Sequence, residues 1–313
     1  MSKKFAITFP GQGSQSVGML ADLADAYPVV LDTFAEGSDA LGIDLWRLSK
    51  EGPIEQLNET QNTQPVLLCA GMGVMRVLES QLSKQPVVMA GHSLGEYTAL
   101  VAAGVLGLAD ATRLVAMRGR FMQEAVPVGT GAMAAILGLD DQQVKDVCVE
   151  GAQGQVAEAV NFNSPGQVVV AGNAEAIARV ADLAKAAGAR RALILDVSVP
   201  SHCALMKPAA ERLAEAMQNL SFNAPRVPVL HNVNVGEANG STEIQRLLVE
   251  QLFRPVRWVE TVQAIRARGA EVVLEAGPGK VLAGLIKRID KSLPALPVFD
   301  PASLDNAMES INA

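Results

Sequence analysis

The stretch Val87-Val-Met-Ala-Gly-His-Ser-Leu-Gly-Glu-Tyr-Thr-Ala-Leu-Val-Ala-Ala103 decides the fold. Val87–Ala90 reads as a short buried strand, and the Ala-rich run beyond Gly95 as an apolar helix. Between them lies Gly91-His92-Ser93-Leu94-Gly95, a G-x-S-x-G nucleophile elbow. Such a turn strains Ser93 toward positive φ. The residues two places to either side must therefore be small, because strand and helix nearly touch there. The serine is lifted out at the start of a helix, where the N–H of Leu94 and the helix dipole can stabilise an oxyanion.

Outward from the elbow, short β-type runs alternate with longer helical ones, the pattern of an α/β fold. Phe5–Phe9 reads as a first strand ending in the turn Gly11-Gln-Gly-Ser-Gln15. Val227–Asn232 and Glu271–Glu275 read as later strands, the second ending in Gly277-Pro-Gly-Lys280. The middle of the chain has another rhythm. Strands are expected at Ala132–Leu139, Val156–Asn161, Gln167–Ala171 and Ala192–Val199, with a turn at Asn163-Ser-Pro-Gly166. Helices are expected at Asp140–Ala152 and Ala174–Gly188. That β-α-β-β-α-β order is ferredoxin-like. The expected organisation is a hydrolase-like α/β catalytic subdomain with a parallel sheet, residues 1–126 and 200–313, carrying an inserted ferredoxin-like subdomain at 127–199.

Composition narrows the function classes. Hydrophobic residues make up 49% of the 313 residues and aromatics only 4%, so the core must be built from aliphatic side chains packed on a parallel sheet. The 33 acidic against 26 basic residues argue against nucleic acid or an anionic membrane as the main partner. Cys69, Cys148 and Cys203 are unclustered, which reads as reduced thiols and no zinc site. The apolar run Phe5–Phe9 is too short for a signal-peptide core, and the run from about Thr98 to Ala109 is too short to span a membrane. A cytoplasmic protein is expected.

A serine nucleophile needs a base, and the chain has 3 histidines. His92 is bonded next to Ser93 and should point away across the turn. His231 falls in a strand pattern and reads as a packed or partly exposed sheet residue. His202 follows Val197-Ser-Val-Pro-Ser201 on a loop, where catalytic groups are usually displayed, and is the expected general base. No Asp stands out to orient it, so a backbone or amide carbonyl could hold its Nδ1–H. Arg118 shares a helix face with Leu114 and Met122. A guanidinium on that apolar stripe calls for an anion, either in an internal ion pair or as a bidentate clamp for a substrate carboxylate. Neither Gly-rich loop suits a nucleotide. Gly11–Gln15 lacks the third glycine of a dinucleotide fingerprint, and Lys280 is followed by Val281 where a phosphate loop needs Ser or Thr.

These segments together resemble one family. Pro10–Gln15, Gly91–Glu96, Met117-Arg-Gly-Arg-Phe-Met122, Asn161-Phe-Asn-Ser-Pro-Gly-Gln167, Val199–His202, Gln251–Trp258 and Glu275–Lys280 are similar, in order, to motifs of the malonyl-CoA:acyl carrier protein transacylases of dissociated bacterial fatty acid synthesis. The resemblance spans essentially the whole chain. It implies that Ser93 carries a malonyl ester, that His202 is base and acid, and that Arg118 holds the malonyl carboxylate. It further implies an oxyanion hole from the N–H groups of Gln12 and Leu94, and a main-chain carbonyl at Gln251 that orients His202. Gln12, Met122 and Asn161 are expected beside the acyl group. His231 departs from the family pattern, where an apolar or amide residue is expected. The implied partners are malonyl-CoA and acyl carrier protein, with no cofactor or metal, acting on a monomer. An acidic carrier would need a local basic patch, and Arg190, Arg191, Lys287 and Arg288, with Lys291 on the same helix, are the candidates. The rival reading is a serine hydrolase, which shares the elbow but should supply an Asp and has no use for Arg118.

Overall fold

The computed structural model describes residues 3–197 and 199–313. Among them run nine strands: β1 Phe5–Phe9, β2 Val88–Gly91, β3 Gly131–Leu137, β4 Ala157–Ser164, β5 Gln167–Asn173, β6 Arg191–Ile194, β7 Val229–Leu230, β8 Val272–Ala276 and β9 Ala295–Val298. They form two sheets. A parallel sheet has the order β7-β2-β1-β8-β9, and an antiparallel sheet the order β4-β5-β3-β6. β1, β2 and β8 are buried along their whole length, as a parallel sheet covered on both faces requires. The chain is thus an α/β protein whose second, antiparallel sheet is inserted between β2 and β7.

Several elements differ from the sequence reading, each for a local reason. The expected strand Val227–Asn232 shrinks to Val229–Leu230. Pro228 has no N–H to extend the ladder, and His231 and Asn232 leave it to bond other groups. β9 was not anticipated, because Pro297 breaks its strand pattern; Pro is tolerated there since β9 is an edge strand. The apolar run from Thr98 is divided. One helix ends at Ala102, Gly104 turns with φ 80°, and a second helix runs Leu108–Glu124. β4 extends to Ser164, so the expected four-residue turn contracts to Pro165-Gly166. The strand expected at Ala192–Val199 ends at Ile194, and position 198 lies outside the described residues.

The inserted sheet carries the helices Asp141–Ala152 and Ala174–Ala186 on one face, where Ile136, Val168, Val170 and Ile177 make its core. Asp140 caps the first helix through a reciprocal capping box with Gln143. The other face, with Met133 and Val169, turns toward the large sheet. The edge strand β4 is stitched to the segment before the helix Trp258–Ala267. Val256 N donates to Val160 O at 2.8 Å, and Phe162 N to Val256 O at 3.0 Å. This fixes the height of Asn161 above the ends of the parallel strands.

Candidate active site

In a parallel sheet all strand ends of one polarity open on one edge, and ligands bind in the crevice there. The elbow leaves β2 at that edge, flanked by Gly11–Gln15 after β1 and His231-Asn232 after β7. Ser93 has φ 52° and ψ −109°, a strained conformation for a non-glycine residue. The flanking glycines permit it. A Cβ on Gly91 would stand 1.8 Å from the Gly95 carbonyl carbon, and one on Gly95 would stand 2.0 Å from Phe9 O. Asn232 grips the elbow from the side. Its Oδ1 accepts from Ser93 N at 2.8 Å and its Nδ2 donates to Gly91 O at 2.7 Å.

His202 reaches the serine from the far side of the cleft, with Ser93 Oγ and His202 Nε2 2.8 Å apart. The Gln251 carbonyl oxygen lies 2.6 Å from His202 Nδ1. A carbonyl only accepts, so Nδ1 carries the proton and Nε2 is the acceptor for the serine hydroxyl. The next carbonyl, Leu252 O, receives the main-chain N–H of His202 at 2.9 Å, and together they hold His202 at φ 67°. Burial, followed by the charge of Arg118, pulls the imidazole down to about 3, so it stays neutral.

Arg118 projects from the helix Leu108–Glu124 and is only 1% exposed. Its Nη1 donates to Gln64 Oε1 at 2.8 Å, and its Nη2 to Gln251 Oε1 at 3.0 Å. Nη2 also lies 3.4 Å from Ser93 Oγ. The Nε is buried without a partner, and none of the ion pairs among the described residues includes Arg118. Of the two readings open at the sequence level, the internal ion pair is therefore not what is found.

Ser93, His202 and Arg118 line one cavity of about 390 Å³ between the two sheets, and Gln12, Leu94, Met122 and Asn161 line it with them. Its far wall is apolar, with Met133 and Val169 from the inserted sheet and Leu195 and Val197 beyond β6. Its mouth is bordered by Val281, Leu282 and Leu285 of the helix Val281–Ile289. That helix is anchored by buried Glu275, which accepts from Leu282 N and Ala283 N at 2.9 and 2.7 Å.

The other histidines are engaged elsewhere. His92 lines the cavity, but its Nε2 meets Asn163 Oδ1 at 2.8 Å and its ring stands edge-on to Trp258. His231 is buried, with Nδ1 2.7 Å from Glu96 Oε1. Of the basic residues singled out, Arg190, Arg191 and Arg288 line a second, more open cavity, where Arg288 Nη1 donates to Gln167 Oε1 at 2.6 Å. Lys287 is exposed on the same helix but does not line that cavity, and Lys291 lies past the helix end. Sequence reasoning missed Gln64, Glu96, Asn163 and Asn232. The signal for Asn232 was its place at the end of an apolar strand run; Gln64 gave none. Among the described residues, no three His, Cys, Asp or Glu side chains group to hold a metal, all 3 cysteines are free and buried, and no helix is long and apolar enough to cross a membrane.

An elbow serine hydrogen-bonded to a histidine, beside a buried arginine, is an arrangement suited to acyl transfer. In agreement, residues 7–302 match the family described as the acyl transferase domain. The malonyl CoA-acyl carrier protein transacylase of Escherichia coli strain K12 is 58% identical over 307 residues, covering 98% of this chain and 99% of that protein. The transacylase of the same name from Bacillus subtilis strain 168 is 42% identical, covering 98% and 97%. Among solved structures, the malonyl CoA-acyl carrier protein transacylase of Coxiella burnetii superposes with a TM-score of 0.98 at 48% identity, covering 100% and 99%. A malonyl-transacylase in complex with its type II PKS acyl-carrier protein gives 0.96 at 56%, covering 98% and 99%. This chain belongs to the malonyl-CoA:acyl carrier protein transacylase family.

Proposed function

We propose that this chain moves a malonyl group from malonyl-CoA to the phosphopantetheine thiol of acyl carrier protein, as a cytoplasmic monomer supplying fatty acid synthesis. The observation that carries the reading is Arg118: a buried guanidinium with an unpartnered Nε, close to Ser93 Oγ and without a carboxylate of its own. A malonyl carboxylate supplies the missing anion while its thioester carbonyl sits at the serine.

His202 Nε2 takes the Ser93 proton as Oγ attacks the thioester carbon. The oxyanion is received by the main-chain N–H groups of Gln12 and Leu94, the latter in a first helical turn whose N–H groups have no intrahelical acceptor. The C–S bond breaks, and His202 returns the proton to the departing CoA thiolate. The carrier thiol then gives its proton to His202 and attacks the ester, and Ser93 regains its hydrogen. One thioester is exchanged for another, so the reaction calls for no cofactor or metal. The apolar wall limits water at the ester between the two halves, with Met122 and Asn161 against the acyl group. Arg190, Arg191 and Arg288, with Lys287 nearby, form the surface that receives the acidic carrier. A hydrolase is less well supported, since His202 is held by a carbonyl and Arg118 has no role in releasing an uncharged acyl group.

Intact mass after brief exposure to malonyl-CoA tests this. One malonyl adduct is expected, absent from Ser93→Ala. Arg118→Ala should lose roughly 2–4 kcal/mol in malonyl transfer and little in acetyl transfer. An adduct that persists in Ser93→Ala, or equal losses for both acyl groups, overturns the assignment.

A further inference from the structure

Glu96 lies in the first turn of the helix Leu94–Ala102 and is wholly buried, at 0% exposure. Its oxygens face three polar groups. His231 Nδ1 lies 2.7 Å from Oε1, while Asn232 N and Gln251 Nε2 lie 2.9 and 2.7 Å from Oε2. Oε2 accepts from both amide donors, and a helix N-terminus favours a carboxylate at this place. The Gln251 amide is fixed between opposites. Its Nε2 faces Glu96 and Ser93 O, and its Oε1 faces Arg118 Nη2. Turning it over would set N–H against guanidinium and oxygen against two acceptors.

We infer that Glu96 is the counter-ion of Arg118, held one residue away by Gln251 so that the guanidinium keeps N–H groups free for a substrate carboxylate. A carboxylate in direct contact would occupy those groups and repel the malonyl anion. No charge at all would leave a bare buried cation. The interposed amide avoids both. Burial depresses the proton affinity of Arg118, and Tyr97, followed by Glu96, opposes that; burial in turn pushes the Tyr97 phenol up and keeps it neutral, which leaves Glu96 as the acidic partner. Glu96 is thus a positioning and charge-setting residue, which also limits how tightly malonyl is held.

The inference rests on the proposed role of Arg118. Its test is thermal melting of free, acetylated and malonylated protein. Glu96→Gln removes the charge and keeps the shape. The amide oxygen still serves Asn232 N and Gln251, and its NH2 faces His231, whose proton can move to Nε2. Free Glu96→Gln should melt roughly 5–10 °C below wild type. Malonylation should recover most of that loss and acetylation none. Adding Arg118→Met should raise the melting temperature of the variant, an arm that also decides the matter if Glu96→Gln alone does not fold. His231→Asn, uncharged but still a donor, should show the wild-type response to both acyl groups. Equal losses in all three states, a double variant no more stable than the single, or His231→Asn behaving as Glu96→Gln each overturn the inference. A wild-type protein that takes no malonyl label overturns the reading of Arg118, and the double variant still tests the counter-ion.

Discussion

Gln251 holds His202 through its main chain and Arg118 through its side chain. The carbonyl oxygen accepts the Nδ1 proton of His202 at 2.6 Å, while Oε1 accepts from Arg118 Nη2 at 3.0 Å. One residue thereby sets the candidate base and the candidate carboxylate ligand at once, and the two functions can be separated by mutation. Gln251→Ala leaves the carbonyl in place and removes an anchor of Arg118. Acylation of Ser93 by acetyl-CoA should change only slightly, while malonyl-CoA loses about 1.5–3 kcal/mol, the range for a hydrogen bond to a charged group. Rapid-quench measurement of both acylation rates checks this, and a matching fall in both would mean that the side chain also supports His202.

The depressed value of His202, about 3, fixes the expected pH behaviour. The base is already neutral in the free enzyme, so kcat/KM for acylation should stay level through the ordinary histidine range near pH 6.5. For stability the sign is the opposite of protective in acid. As pH falls below 6.5 the unfolded chain takes up this proton and the folded chain does not, so stability is lost toward the folded-state value. His202→Asn should accordingly move the acid-unfolding midpoint to lower pH. An acylation profile with an inflection near 6.5 would show that the imidazole is not desolvated in solution.

The elbow glycines make a sharper stability prediction. Gly95→Ala directs a methyl group at Phe9 O, backbone that belongs to the central strand β1. Relief requires moving either the strand or the helix, so the loss should reach about 3 kcal/mol or more, at the upper end for an overpacked site. Denaturant unfolding measures it. Near-wild-type stability would mean that the elbow relaxes more readily than its geometry implies.

Arg190, Arg191 and Arg288 converge from the inserted sheet and from the helix at the cavity mouth. Charge reversal of all three to Glu should raise the KM for acyl carrier protein by roughly 10-fold or more at low salt and flatten its salt dependence. The half-reaction with malonyl-CoA should be nearly unchanged. Damage shared by both half-reactions would place the cluster on the CoA side of the chemistry.

Much of this is legible in the sequence alone. Short apolar runs and Gly-rich turns located β1, β2 and β8 of the central sheet, and the acidic pair Asp140-Asp141 marked the start of a helix, because these signals act between near neighbours. The elbow spacing singled out Ser93, the Pro turn before His202 separated it from two histidines in less open contexts, and the two side chains lie 2.8 Å apart. The same local signals failed where tertiary contacts overrode them. Pro297 hid β9, which tolerates a proline only because no further strand pairs with it. His231 looked like an ordinary strand residue, yet it leaves the strand to meet a buried carboxylate far away in sequence.

By itself the sequence determined an α/β chain with a ferredoxin-like insertion, a strained serine at a strand end and a basic side chain on an apolar helix face. Each follows from the spacing of residue types along a few turns or one strand. Only the tertiary structure decided what those groups meet. Arg118 lies 54 residues from Gln64 and 133 from Gln251, and Glu96 lies 135 from His231. Hydrogen bonds of 2.6–3.0 Å between such partners depend on how two sheets and their helices pack. No periodicity along the chain encodes which buried donor will face which acceptor, and that pairing leaves the guanidinium beside Ser93 without an anion in contact.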